Sequence, residues 1–265
     1  LTSKQSNIHP TAIIDPKAQL DSSVAVGAYS IIGANVEIGP NTRVGPHVVL
    51  QGPMSIGASN TIYQFASVGE ASQDKKYNGE PTRLEIGNNN TIRECATLQR
   101  GTVQDRGTTS VGDGNLFMAY THVGHDSIVK NNCVFANSAT IAGHVIIGNG
   151  VILGGFSGIH QFCSVGDFAM SAMCSAVNMD IPAFVRVQGN MASVQGMNME
   201  GMKRQGYPKE TIQMLQKAYK LVYRENLRLA EAIDQIKVLV DNLESTHPVH
   251  LFLTSLQSSK RGITR

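Results

Sequence analysis

Along most of this chain the hydrophobic positions keep neither the spacing of a helix nor the alternation of a strand. Aliphatic residues stand at Ile8, Ile14, Leu20, Val26, Ile32, Ile38, Val44, Leu50, Ile56, Ile62 and Val68, each six after the last, and glycine follows at Gly27, Gly33, Gly39, Gly45, Gly57 and Gly69. Two residues before the aliphatic comes a smaller side chain, as at Ala12, Ala18, Val24, Ser30, Val36, Thr42, Val48 and Ala66, which marks a second inward position. After a polar break the phase resumes at Ile86, Ile92 and Leu98, slips by one, and runs from Val111 through Phe117, Val123, Val129, Phe135, Ile141, Ile147, Leu153 and Ile159 to Val165. A helix needs apolar spacings of three and four, and a half-buried strand needs alternation. A six-residue period predicts instead a parallel β-helix, with short strands separated by glycine-assisted turns. Three hexads close one coil of a triangular prism, so residues 18 apart stack about 4.8 Å from each other. The period leaves the hand of the coil open.

Two segments break the hexads, "GEASQDKKYNGEPTR" over 69–83 and "RGTVQDRGTTS" over 100–110. Both are polar and contain glycine, so they are expected to bulge from the prism as loops able to carry function. The prism is read as residues 1–190. From 191 to 265 a helical domain is expected. There Pro208 opens "PKETIQMLQKAYKLVYREN" with Ile212, Leu215, Tyr219 and Val222 at helical spacing, and further helices are expected over 227–243 and 249–258. This tail would cover the last coil, whose core and strand edges are otherwise open.

Composition sharpens this reading. The chain has 265 residues with 26 glycines, 6% aromatics and no tryptophan, as suits a core of small repeated side chains. Cys95, Cys133, Cys163 and Cys174 show no CxxC pair and no zinc-like spacing, so they are read as reduced thiols. No apolar run approaches a membrane span and the first residues show no apolar leader, which makes a cytoplasmic protein the expectation. The formal charge is +2, but from Lys203 onward eleven basic residues face six acidic ones, leaving a negative balance before that point. Such a basic C-terminal segment suits an acidic partner.

Chemistry gathers at "AYTHVGHDSIV", residues 119–129, where His122 and His125 stand three apart and Asp126 follows. Val123 and Val129 face inward, so both histidines are expected to project outward on either side of a prism corner. Stacking by 18 sets Gly143 above His125 and His144 above Asp126, with His160 one coil further. Two chemistries fit. One is a zinc site, such as the three-histidine centre that one class of carbonic anhydrase builds on this kind of prism, although two of its ligands stand farther apart there than in "HVGH". The other is acyl transfer, with a histidine as general base, a carboxylate to orient it and a backbone N–H for an oxyanion.

The set "IYQFASVGEASQDKKYNGEPTRLEIG", "RGTVQ", "HVGHDSIV", "ATIAGHV", "GIHQF" and "NMEGMKRQGY" resembles the acyl-[acyl-carrier-protein]–UDP-N-acetylglucosamine O-acyltransferases, the first enzymes of lipid A synthesis, over essentially the whole chain. The resemblance implies a left-handed parallel β-helix assembled as a homotrimer, with active sites between neighbouring prisms. It implies transfer of an (R)-3-hydroxyacyl group from acyl carrier protein to the glucosamine 3-hydroxyl of UDP-N-acetylglucosamine. No metal and no cofactor beyond the carrier's phosphopantetheine arm is implied, nor a nucleic-acid partner. His125 would be the base, Asp126 would fix its tautomer, and the Gly143 N–H would hold the oxyanion. Gln73, Asp74, Lys76, His122, His144, Gln161, Asn198, Glu200 and Arg204 would contact sugar and phosphates, and His160 the thioester or acyl arm. Relatives often carry His at the position of Met191 and Arg at that of Gln205, so contacts from those two positions are not carried over. Met173 would act as the acyl-chain ruler: it shares the hexad position of His125, and an axial offset of about 2.7 coils, roughly 13 Å along a groove between them, is expected to stop the chain near about ten carbons and to favour 3-hydroxydecanoyl donors. A trimeric scaffold without activity is the alternative of another class, but it has no use for a His–Asp pair above a glycine.

Overall fold

The computed structural model describes residues 7–265, and the six preceding residues, with which the expected prism begins, lie outside the described residues. Most strands have only two or three residues. The chain visits three sheets in rotation: Ile13–Ile14 lies in the first, Gln19–Leu20 in the second, Ala25–Val26 in the third, and Ile31–Ile32 returns to the first. All pairings are parallel until the last hairpin. His122 pairs with Thr140, Ile128 with Ile146 and Val134 with Ile152, a constant step of 18. Strands this short persist because their backbone groups bond to the coils on both sides, as Gly124 N–H does to Ile141 O (3.0 Å) and Ala142 N–H to Ile159 O (3.0 Å). The hexad aliphatics fill the prism axis, with Ile32, Leu50, Ile62, Ile92, Leu98, Phe117, Phe135, Ile141 and Ile147 fully buried.

The corners differ from the glycine-assisted turns expected from the sequence. The left-handed residue at each corner lies two positions after the glycine, at Tyr29, Asn35, Asn41, His47 and Ser59, with φ between 55° and 58°. Several of them donate their N–H one coil back, His47 to Ala28 O (2.9 Å), Ser59 to Pro40 O (2.8 Å), Tyr29 to Thr11 Oγ1 (3.1 Å) and Asn41 to Ser23 Oγ (2.8 Å), which offsets the cost of the left-handed backbone. The glycines serve coil spacing instead. A Cβ on Gly27 would stand 2.6 Å from the Pro46 nitrogen, and one on Gly39 2.8 Å from the carbonyl carbon of Gly57. Of the six glycines only Gly69 has positive φ (82°), and it opens the first excursion.

Both excursions leave the same edge of the prism. The first separates Ser67–Glu70, in the first sheet, from Arg83–Ile86, in the second; the other separates Thr97–Gln99, in the first sheet, from Thr108–Val111, in the second. The step along the first sheet consequently grows to 30 residues from Ser67 to Thr97 and 25 from Thr97 to His122. One coil later, the turn on that edge is His125–Asp126.

Two elements near the C-terminus were absent from the hexad and helix patterns. Val185–Gln188 and Ser193–Met197 form an antiparallel hairpin on the third sheet, and a six-residue helix, α1 (Met199–Arg204), follows it. A single helical turn and a half is too short to declare a period. Three longer helices, α2 (Lys209–Tyr223), α3 (Leu229–Val240) and α4 (Pro248–Gln257), pack together where the apolar spacing puts them. Their buried residues, among them Leu215, Val222, Ile236 and Phe252, join the core cluster of the prism.

The buried Asp180 carboxylate ties the C-terminal segment to the last coil. Oδ2 accepts from Ser259 Oγ (2.8 Å), Lys260 N–H (3.0 Å) and Arg261 N–H (3.2 Å), while Oδ1 accepts from Ser164 N–H (2.7 Å). Asp180→Ala leaves those donors without their acceptor and is expected to destabilise the fold by about 2–4 kcal/mol. Thermal unfolding together with limited proteolysis after residue 257 checks this; an unchanged midpoint and an uncut tail would show the anchor to be dispensable.

Candidate active site

The His125–Asp126 turn puts a left-handed residue at Asp126 (φ 58°), a conformation that Asp tolerates better than most side chains. The turn folds the carboxylate inward, where it is 2% exposed, and leaves the imidazole at the surface of the edge. His125 Nδ1 lies 2.9 Å from Asp126 Oδ2. An ionised carboxylate only accepts, so Nδ1 carries the proton and Nε2 of the neutral ring presents its lone pair. Burial pushes the Asp126 carboxyl up, but hydrogen bonds from His125 and from the Thr102 N–H and hydroxyl, helped by His144, hold it below its ordinary value. The pair is therefore in the ionised-carboxylate state at neutral pH.

Gly143 stacks over His125 as the 18-residue step requires. A Cβ there would stand 2.5 Å from both Cε1 and Nε2 of the imidazole, so any side chain would push the ring out of place. On the edge between the second and third sheets the equivalent N–H groups are capped, Asn131 by Asn149 Oδ1 (3.3 Å) and Asn149 by Asp167 Oδ1. Among the described residues the Gly143 N–H has no such cap, which leaves a backbone donor beside Nε2. His144 stacks on Phe162 (4.5 Å, 9° between planes) and meets His125 edge-on at 4.9 Å. Its Nδ1 lies 2.8 Å from Asp105 Oδ2.

The other residues named from the sequence divide by edge. Gln73, Asp74 and Lys76 lie in the first excursion, where Asp74 Oδ2 comes within 3.9 Å of His125 Nε2. His122 is on the first sheet and not on the far side of the corner; its Nδ1 is 2.7 Å from Thr97 Oγ1, and burial, with repulsion from His125, keeps its imidazole below the ordinary value. His160 and Gln161 stand one coil beyond Gly143 on the same edge, with His160 Nδ1–H donating to Gln161 O (3.0 Å). Asn198 caps α1, accepting from Gly201 N–H (3.0 Å) and donating to Phe168 O (2.9 Å). It thus belongs to the edge between the second and third sheets, together with α1 and its exposed Glu200 and Arg204. Glu200 pairs with Lys203 (3.1 Å).

Met173 sits on the remaining edge. Its turn joins Met170–Ser171, in the third sheet, to Ala176–Val177, in the first, so the 48 residues from His125 are two coils and two further faces. The groove expected to run along one edge from His125 to Met173 is therefore not formed within one chain, and the axial count of about ten carbons does not measure the path between them.

Among the described residues, one chain does not bring three histidines together as ligands of a single ion. The cluster able to approach an ion comprises His125, Asp126 and His144, with donor atoms within 4.8 Å of one another. Zinc ligands at about 2.0–2.1 Å in a tetrahedron stand only about 3.4 Å apart. In addition His125 and His144 each direct Nδ1 at a carboxylate. Sequence reasoning missed Thr97, Thr102, Asp105 and Thr109, which hold His122, Asp126, His144 and the Asp126 N–H respectively. The available signal lay in counting strands: Val68, Leu98 and Val123 are three strands apart, so the gaps after them share one edge.

Residues 17–52 and 108–143 match a family model described as bacterial transferase hexapeptide (six repeats), and residues 180–264 match one described as Udp N-acetylglucosamine O-acyltransferase, domain 2. With its three parallel sheets coiled left-handed, the chain is a hexapeptide-repeat acyltransferase. The acyl-[acyl-carrier-protein]–UDP-N-acetylglucosamine O-acyltransferase of Stutzerimonas stutzeri is 50% identical over 215 residues, 81% of this chain and 82% of the relative. The crystal structure of UDP-N-acetylglucosamine O-acyltransferase from Moraxella catarrhalis superposes with a TM-score of 0.95 at 47% identity, over 98% of this chain and all of the other. A structure from Acinetobacter baumannii gives 0.93 at 50% identity, over 97% and 99%. The chain belongs to the acyl-[acyl-carrier-protein]–UDP-N-acetylglucosamine O-acyltransferases.

Proposed function

We propose that this protein transfers an (R)-3-hydroxyacyl group, 3-hydroxydecanoyl in particular, from acyl carrier protein to the glucosamine 3-hydroxyl of UDP-N-acetylglucosamine, as the first step of lipid A synthesis in the cytoplasm. The observation that carries the chemical reading is the 2.9 Å bond from His125 Nδ1 to the buried Asp126 carboxylate, beside the uncapped Gly143 N–H. His125 Nε2 takes the proton of the sugar hydroxyl as its oxygen attacks the thioester carbonyl carbon. The carbonyl oxygen becomes an oxyanion, which the Gly143 N–H stabilises. On collapse the C–S bond breaks, the phosphopantetheine sulfur takes the proton from the His125 imidazolium, and the ester remains on the sugar. Asp126 keeps the ring in the reactive tautomer throughout. Gln73, Lys76 and Gln161, together with Glu200 and Arg204, are assigned to sugar and phosphate, and His160 to the acyl arm. No metal takes part in this scheme.

The assembly proposed is a homotrimer. The second sheet carries the exposed charges Glu37, Arg83 and Glu85, whereas the edge between the third and first sheets carries exposed Tyr29, Phe65, Tyr120, Phe156 and Met173. Turning that apolar edge toward a threefold axis brings the first sheet of one copy against the third sheet of the next, a cyclic heterologous contact. The His125 edge of one chain then faces the edge of its neighbour that carries Asn198, Glu200 and Arg204. Light scattering should report three chains.

Incubation with UDP-N-acetylglucosamine and 3-hydroxyacyl carrier proteins tests the reaction; absence of the acylated sugar nucleotide with every donor would overturn it. The carrier is assigned to the basic stretch from Lys203 to Arg228, where seven basic residues face two acidic ones. Lys217 and Lys220 are exposed along α2, and Arg224 at its C-cap. Replacing all three by Glu is expected to raise KM for the carrier about tenfold or more at low salt and to flatten its salt dependence. Unchanged constants at low salt would remove α2 from the docking surface.

A further inference from the structure

The second excursion inserts one side chain beneath the His–Asp pair. Thr102 is fully buried, its N–H lies 2.9 and 3.0 Å from the two oxygens of Asp126, and its hydroxyl donates to Oδ2 at 2.7 Å. Oδ2 is also the atom that faces His125 Nδ1. The Asp126 N–H in turn donates to Thr109 Oγ1 (2.8 Å), on the strand by which the excursion returns. Asp126 is thus held from both ends of one inserted loop, while its own turn supplies the His125 ring.

We propose that Thr102 is a positioning residue of the acyl transfer, the third member of a Thr–Asp–His relay in which its hydroxyl fixes the carboxylate that orients His125. This rests on His125 being the base. Without the hydroxyl donor the carboxylate can rotate about its own axis, and the imidazole follows it. Oδ2 also becomes the stronger acceptor for the His125 imidazolium, since one donor no longer competes for it. Both effects are predicted together: slower proton abstraction, and a base that stays protonated to higher pH.

Other titratable and charged groups facing the pair come from four elements. Asp74 of the first excursion lies 3.9 Å from His125 Nε2, His144 meets the ring edge-on from the next coil with Asp105 behind it, and Arg106 Nη2 donates to Asp126 O (3.2 Å). His122 stands on the adjoining strand and repels His125. None of them bonds to Oδ2, so Thr102 is the one side chain besides His125 on that oxygen among the described residues.

The test compares Thr102→Val, which keeps the shape and the N–H, with Thr102→Ser, which keeps the hydroxyl, in the intact enzyme with His125→Ala as control. Thr102→Val is expected to lower kcat about tenfold or more, to leave KM for UDP-N-acetylglucosamine within about twofold, and to move the acid limb of the pH profile of kcat/KM upward. Thr102→Ser should restore both rate and profile. A structural role alone would lower the amount of folded protein and leave the pH limb in place. A folded Thr102→Val protein with wild-type turnover and profile, beside an inactive His125→Ala, overturns the Thr102 assignment and spares the base. Wild-type turnover in His125→Ala overturns the base and the relay together.

Discussion

His125→Ala should lower turnover by at least about a hundredfold while the fold and oligomeric state stay intact, since removing a general base costs about 10²–10⁴. The ring lies on a corner turn, 12% exposed and outside the prism core, which is built from Val123, Val129 and their stacked equivalents. Its loss removes the imidazole whose Nδ1 is held by Asp126 and whose Nε2 is left with a lone pair. The neighbouring imidazoles are turned to other partners, His144 Nδ1 to Asp105 Oδ2 and His122 Nδ1 to Thr97 Oγ1, and neither is paired with Asp126. Steady-state assays with saturating sugar nucleotide and carrier check the effect, alongside circular dichroism for the fold. A folded variant that turns over at the wild-type rate would mean that another group takes the proton. Asp74, within 3.9 Å of Nε2, would be the next to examine.

The prism was legible because its axis admits only side chains of a certain size at fixed intervals: Ile32, Leu50 and Val68 are all fully buried one coil apart. Stacking by 18 likewise places Gly143 over His125, since no insertion separates them. Where the step changes to 25 or 30, residue arithmetic fails and strand counting is needed. That is why the common edge of the two excursions, and with it the place of Asp74, Thr102 and Asp105, escaped notice. Inside the loops no periodicity marks which polar residue folds back. A buried carboxylate demands donors, but the sequence does not say that Thr102 supplies them. The edge of Met173 is a different case. It was available from the count, because 48 is not a multiple of 18, yet treating the offset as purely axial concealed it.

At the corner position of Met173 the earlier coils carry Ala119, Asn137 and Gly155, so Met173 is the first long apolar side chain there, and 64% of its surface is exposed. Flanking this edge, the third sheet turns Leu116, Val134, Ile152 and Met170 outward in a half-buried apolar row. In the proposed trimer that row faces the first sheet of the next copy, beside its His122. An acyl chain entering at the His125 edge would therefore run inward between two prisms and meet Met173 near the threefold axis. Met173→Gly opens the end of that passage. Between a ten-carbon and a fourteen-carbon donor lie four methylenes, each contributing about 0.8 kcal/mol when buried, or about 3 kcal/mol in all. The ratio of kcat/KM for 3-hydroxymyristoyl over 3-hydroxydecanoyl carrier protein should then rise by about two orders of magnitude in the variant, from a wild-type value below one. Competition assays with both donors measure that ratio directly. If the wild type already prefers the longer donor, or the ratio stays put in Met173→Gly, the chain ends elsewhere between the prisms and Met173 is only an edge residue of the trimer contact.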